Sequence, residues 1–118
     1  MRLNGIGHTF AQRIVEYRTR LGGFSSYLQL KEVYGISDST VYNVTPYLSL
    51  SPIFRKLQIN KSGKDDLKHP YLTYKQVDVM VRYRINHGNF KNIDDVRRVG
   101  VFNEAQLDKI KPYLDFAD

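Results

Sequence analysis

The chain has 118 residues, 42% of them hydrophobic, with 18 Lys and Arg against 12 Asp and Glu for a net charge of +6. It is long enough for one ordinary domain or two very small ones, and apolar enough for a packed core rather than disorder. With no cysteine, disulfides and thiolate zinc sites are excluded. No apolar run approaches the roughly 18 residues that span a bilayer, and Met1-Arg2-Leu3 is no signal peptide.

In chain order, the first element is a helix with glycine at its mouth. Gly5-Ile6-Gly7 precedes Ala11, Ile14, Val15 and Tyr17-Arg18, which follow helical spacing. Glycine lacks a Cβ, so another backbone comes close. The helix turns its unpaired N–H groups and positive dipole end toward that turn, and the two together suit an anion. Gly22 ends this helix, Phe24 plugs the turn, and Ser26-Tyr27-Leu28-Gln29 caps a further short helix. Tyr34-Gly35-Ile36-Ser37 is a second turn, leading to Val41, Val44 and Pro46-Tyr47-Leu48. Leu50-Ser51-Pro52-Ile53-Phe54-Arg55 reads as a short linker.

Beyond the linker the pattern returns at an offset of 66 residues, the distance from Tyr17-Arg18 to Tyr83-Arg84. Gly22 meets Gly88, Phe24 meets Phe90, Val33 meets Val99, and Pro46-Tyr47-Leu48 meets Pro112-Tyr113-Leu114, with no gap. Conservative pairs lie between: Ile6/Leu72, Ile14/Met80, Leu30/Val96, Val41/Leu107 and Val44/Ile110. Duplication explains this far better than chance. In the second copy Ser62-Gly63-Lys64-Asp65 predicts an N-cap leading to Leu67, and Thr73-Tyr74-Lys75-Gln76 a capping box. Val77, Met80, Val81 and Arg84 predict a helix that Gly88 ends. Asn92-Ile93-Asp94-Asp95 and Asn103-Glu104-Ala105-Gln106 cap two more, the last stopping near Pro112. No alternation persists long enough to predict a sheet. Met1 aligns with Leu67, so residues 59–66 have no counterpart and the first copy is expected to lack its opening helix.

These positions resemble the helix-hairpin-helix domain of ComEA-type DNA-uptake proteins. The resemblance is carried by Gly5-Ile6-Gly7, Tyr17-Arg18, Gly22, Phe24, Leu30, Val33 and Pro46-Tyr47-Leu48, and by Ile59-Asn60-Lys61-Ser62 and Asp65-Asp66-Leu67. It implies an all-α fold of SAM-like short-helix bundles in tandem: domain 1 at 1–50, a linker at 51–57 and domain 2 at 58–118. It also implies sequence-independent binding of duplex DNA, in which hairpin N–H groups grip phosphates and nearby side chains reinforce them. A role in DNA uptake follows from the same likeness, with an extracytoplasmic or membrane-anchored place for the full-length protein. No cofactor, metal or small-molecule substrate is implied.

Transferred residue by residue, the likeness marks four hairpins. The first keeps both glycines: Gly5, Ile6 and Gly7, with His8 and Thr9 facing the phosphate and Arg13 adding charge one turn on. The second offers Gly35 and Ser37, with Asp38 opposing an anion. The third, Pro70-Tyr71-Leu72-Thr73, has lost its glycines, and Pro70 has no N–H, so it reads as a structural turn with Lys68 and Lys75 for charge. The fourth, Gly100-Val101-Phe102-Asn103, has Arg97 and Arg98 just before it. Tyr17-Arg18 and Tyr83-Arg84 read as structural. Loss of glycines favours an alternative, a protein-interaction or assembly module that has kept the fold and lost DNA binding. Catalysis is not expected: His8, His69 and His87 lack metal-ligand spacing, and no nucleophile–base pattern appears.

Overall fold

The offset between the two copies is also an offset between their elements. The computed structural model describes residues 8–44, 53 and 55–118. In the first copy, helix α1 (His8–Leu21) and helix α2 (Asp38–Val44) are joined through a 3-10 segment at Tyr27–Glu32. In the second, α3 (Tyr74–His87), α4 (Ile93–Arg97) and α5 (Glu104–Ile110) follow one another. α1 and α3 start and end 66 residues apart, as do α2 and α5. The chain divides into two units, Met1–Phe54 and Arg55–Asp118. The architecture is all-α, with one addition described below.

Equivalent caps hold the equivalent turns. Gln29 Oε1 accepts the N–H groups of Ser25 and Ser26 at 2.7 and 3.2 Å, and Ser26 Oγ accepts that of Leu28. In the second unit Asp95 Oδ2 accepts the N–H of Lys91 at 2.8 Å, and Asn92 Oδ1 that of Asp95 at 3.1 Å. Different side chains thus satisfy the donors that a helix start leaves unpaired. The predicted capping boxes of Thr73 with Gln76 and of Asn103 with Gln106 both form. Gly88 caps α3, its N–H bonded to Arg84 O at 2.8 Å.

Burial follows the repeat as well. Ala11, Ile14, Phe24, Leu30 and Val41 form the core of the first unit, and their counterparts Val77, Met80, Phe90, Val96 and Leu107 lie in the core of the second. Three- and four-residue spacing gives each long helix one apolar face. Other positions differ: Val33 is buried and Val99 half-buried. Leu21 is buried, whereas His87 is exposed and stacks on Tyr83 with ring centroids 4.0 Å apart.

The second unit is closed by a feature that the sequence did not predict. Strand β1 (Leu57–Gln58) pairs in parallel with β2 (Leu114–Asp115), Leu57 opposite Leu114 and Gln58 opposite Asp115. Two-residue strands are too short to show alternation, which is why the expectation of no sheet fails here. β1 also starts within the stretch read as linker. The predicted Ser62 cap is replaced: the 3-10 turn Lys64–Asp66 has Gly63 at its N-cap and no side-chain cap bond. Ser62 lends its carbonyl instead to Arg84 Nη1, which also donates to Ile59 O, both at 2.8 Å. Arg84 is therefore the structural bridge that its place at a helix end suggested.

Asn60 completes the closure. Its Oδ1 accepts the N–H of Phe90 at 2.7 Å, and its Nδ2 donates to Phe90 O at 2.7 Å and Phe116 O at 3.0 Å. Asn60→Ala removes three bonds to backbone and leaves part-buried partners unmatched. It should lower unfolding stability by about 2–4 kcal/mol, read as a reduced urea midpoint; a loss below about 1 kcal/mol would contradict this role.

Candidate nucleic-acid interface

Hairpin one, Gly5-Ile6-Gly7, lies outside the described residues. His8 starts α1, and Thr9 is exposed on its first turn. Arg13, expected to reinforce hairpin one, reaches hairpin two instead. Its Nη1 donates to Tyr34 O at 3.2 Å. Its guanidinium lies over the rings of Phe10 and Tyr34, 5.3 and 5.1 Å from their centroids. Gly35 sits beneath it at φ +78°. A Cβ there would come within 2.7 Å of Arg13 Nη1 and 3.3 Å of Phe10 Cε1. The glycine thus meets both of its requirements, a left-handed backbone and close approach of a side chain. Ser37 Oγ accepts the N–H of Thr40 at 3.1 Å and so stands before α2 as a cap.

Hairpin three has no backbone donor to offer. Pro70 lacks an N–H. Tyr71 donates to His69 Nδ1 at 3.1 Å, Leu72 to His69 O at 3.0 Å, and Thr73 to Gln76 Oε1 at 2.9 Å. His69 is buried against Tyr71 and Tyr113, with centroids 5.2 and 4.8 Å away. This is the structural turn that the missing glycines foretold. Lys68 and Lys75 are exposed beside it. Lys64 bonds Asp78 at 3.2 Å and lies 5.0 Å over the Tyr74 ring. Tyr74 chiefly, then Asp78, hold the Lys64 ammonium above its ordinary pKa.

In hairpin four the N–H of Gly100 is bonded to Arg97 O at 3.2 Å and that of Asn103 to Gln106 Oε1 at 2.9 Å, and the charge beside it is compensated. Gly100 is exposed at φ +82°, with open space where a Cβ would lie. Arg97 is held by Glu104, Nε to Oε2 at 2.9 Å, and by Asp94; Arg98 bonds Asp95 Oδ1 at 2.8 Å. Glu104 is the main cause that keeps the Arg97 guanidinium above its ordinary pKa. Three carboxylates therefore stand against the two arginines that the sequence singled out.

The structure brings Arg13, Gly35 and Ser37 together around one hairpin. It sets Lys75 and the Arg97–Arg98 pair in the other unit. Phe10 escaped the sequence reading, as did a second role of the capping-box residue Gln76. Gln76 Nε2 donates to Val101 O at 3.1 Å, so the long helix holds the second hairpin in each unit. Phe10 and Gln76 occupy the same repeat position, and that shared position was the available signal. Among the described residues no group of three or more His, Cys, Asp or Glu could hold a metal, and no helix is long and apolar enough to cross a membrane.

Gly35→Ala should destabilise the first unit by about 1–2 kcal/mol, through left-handed strain and displacement of Arg13. Gly100→Ala carries the strain alone and should cost about 1 kcal/mol. Adding Arg13→Ala should shrink the difference; an equal gap in both backgrounds, by denaturant unfolding, would refute the Arg13 contact.

A family model described as the helix-hairpin-helix motif matches residues 1–49 and 53–115. The chain is 26% identical to endonuclease/exonuclease/phosphatase family domain-containing protein 1 of Bos taurus, and 28% identical to those of Xenopus laevis and Danio rerio. Each alignment covers 94% of this chain but only 24–25% of the relative, so the chain spans about a quarter of their length. No solved structure gives a significant match.

Proposed function

The chain belongs to the helix-hairpin-helix family, and from that premise we propose that it grips duplex DNA by the phosphate backbone, without sequence preference and without chemistry of its own. The supporting observation is the exposed, left-handed Gly35 of hairpin two with the Arg13 guanidinium beside it, on a chain of net charge +6. The first unit, which also holds Gly5-Ile6-Gly7, is the stronger contributor in this reading. The second unit adds dispersed charge through residues such as Lys68 and Lys75.

Two settings fit such a grip. The likeness to ComEA-type proteins supports DNA uptake. The names of the relatives support another setting, a DNA-holding part of a longer protein with an endonuclease/exonuclease/phosphatase family domain. We favour the second, since it is carried by matches across 94% of the chain. Hairpin three, with every available N–H engaged internally, supports the competing reading of a protein-interaction module without DNA affinity.

Anisotropy of a labelled duplex separates DNA binding from that competitor. Contact with three or four phosphates should weaken binding by roughly 40- to 150-fold between about 50 and 200 mM salt. No binding at the lower salt would reject the DNA reading.

Charge variants rank the hairpins. Arg13→Gln should weaken binding roughly tenfold, and Arg97→Gln less than about threefold, because Arg97 is already compensated. Glu104→Gln should tighten it. Equal losses at Arg13 and Arg97 would overturn the ranking.

A further inference from the structure

The first unit has a groove where the second has a polar face that pairs its own charges. The groove runs between the Tyr27–Glu32 segment and α2, holds ≈ 700 Å³, and is lined by Tyr27, Leu28, Lys31, Asp38, Val41 and Tyr42 among others. Leu28 and Tyr42 are 69% and 80% exposed. At the matching positions of the second unit, Leu28 becomes Asp94, Lys31 becomes Arg97, Asp38 becomes Glu104 and Tyr42 becomes Asp108. There Arg97 spans from α4 to Glu104 on α5 and also takes Asp94, so that face satisfies its own charges. Lys31 and Asp38 stand on opposite walls of the groove, and among the described residues neither forms an ion pair. Within one fold, a self-paired polar face has been exchanged for an apolar strip between one cation and one carboxylate.

That distribution is self-complementary. Turned about a two-fold axis, a second copy sets its Asp38 opposite Lys31 and its Lys31 opposite Asp38, with Leu28 and Tyr42 of both copies enclosed between them. Nucleic acid fits less well, because the Asp38 wall repels phosphate. We propose that this groove is the interface of a symmetric dimer of the chain, docked groove to groove. One groove is smaller than the roughly 800 Å² per partner of a standard interface, so the dimer is weak. It would give a DNA-gripping chain two attachments in one particle and, with them, higher avidity.

Sedimentation velocity on the whole chain, at about 0.2 M salt to screen the net charge, tests it. Dimer should appear as concentration rises toward roughly 1 mM, a weak affinity on the scale of a small interface. Lys31→Asp sets carboxylate against carboxylate, Asp38→Lys sets cation against cation, and each alone should shift dissociation at least tenfold. An equimolar mixture of the two variants restores both opposite-charge contacts and should recover the dimer, which misfolded variants could not do. A chain monomeric throughout, a dimer that survives either reversal, or variants whose mixture stays monomeric would overturn the proposal. A monomer whose tyrosine fluorescence responds to single-stranded oligonucleotide, and loses the response in Tyr42→Ala, would overturn it too and assign the groove to bases.

Discussion

Asn60 is the point on which the second unit turns. One carboxamide meets both backbone groups of Phe90 and the carbonyl of Phe116. Phe90 is buried at the turn after α3, Phe116 follows β2, and Asn60 follows β1. Three stretches far apart in sequence are thereby joined by a side chain with matched donors and acceptor. Arg84 adds a second tie from α3 to the carbonyls of Ile59 and Ser62. With the opening segment held in this way, the aromatic ring of Phe90 seals the core, and α3 presents its first turn beside hairpins three and four.

The repeat serves as an internal comparison in which fold is constant and chemistry varies. The bounds of the long helix and of the last helix agree between units, and so do five core positions, from Ala11 and Val77 to Val41 and Leu107. What changes is the surface. Hairpin two keeps a glycine under an arginine, whereas the carbonyl of hairpin four is held by a neutral glutamine. Arginine at the rim of one unit is compensated by Asp94 and Glu104, and the other unit has lysine and aspartate apart. Burial constrains the first set of positions strongly, because a lost methylene in a core costs on the order of 1 kcal/mol. Exposed positions carry no such penalty, which leaves them open to divergence in function.

Legibility in the sequence followed range. Capping boxes such as Thr73 with Gln76 depend on residues three apart, and the apolar stripe of α3 on spacing within one helix; both were readable. So was the structural turn of hairpin three, since Pro70 and the bulky Tyr71 argue against phosphate approach by themselves. The parallel pairing of Leu57 with Leu114 joins residues at opposite ends of a unit and leaves no periodic trace. Arg13 was assigned to the nearer hairpin because its reach to Tyr34, 21 residues on, depends on how α1 lies against the turn. The compensation of Arg97 by Asp94 was accessible from three-residue helical spacing; that by Glu104 required the fold.

The parallel clasp has a mechanical meaning. Chain enters the second unit ahead of β1 and leaves it after β2, and the two strands run in the same direction. Tension applied along the chain therefore pulls β1 backward and β2 forward, sliding them past each other. Their hydrogen bonds are loaded together in shear rather than opened one at a time, and the carboxamide bond to Phe116 O lies in the same load path. A unit built in this way resists stretching along its own chain better than its small size suggests.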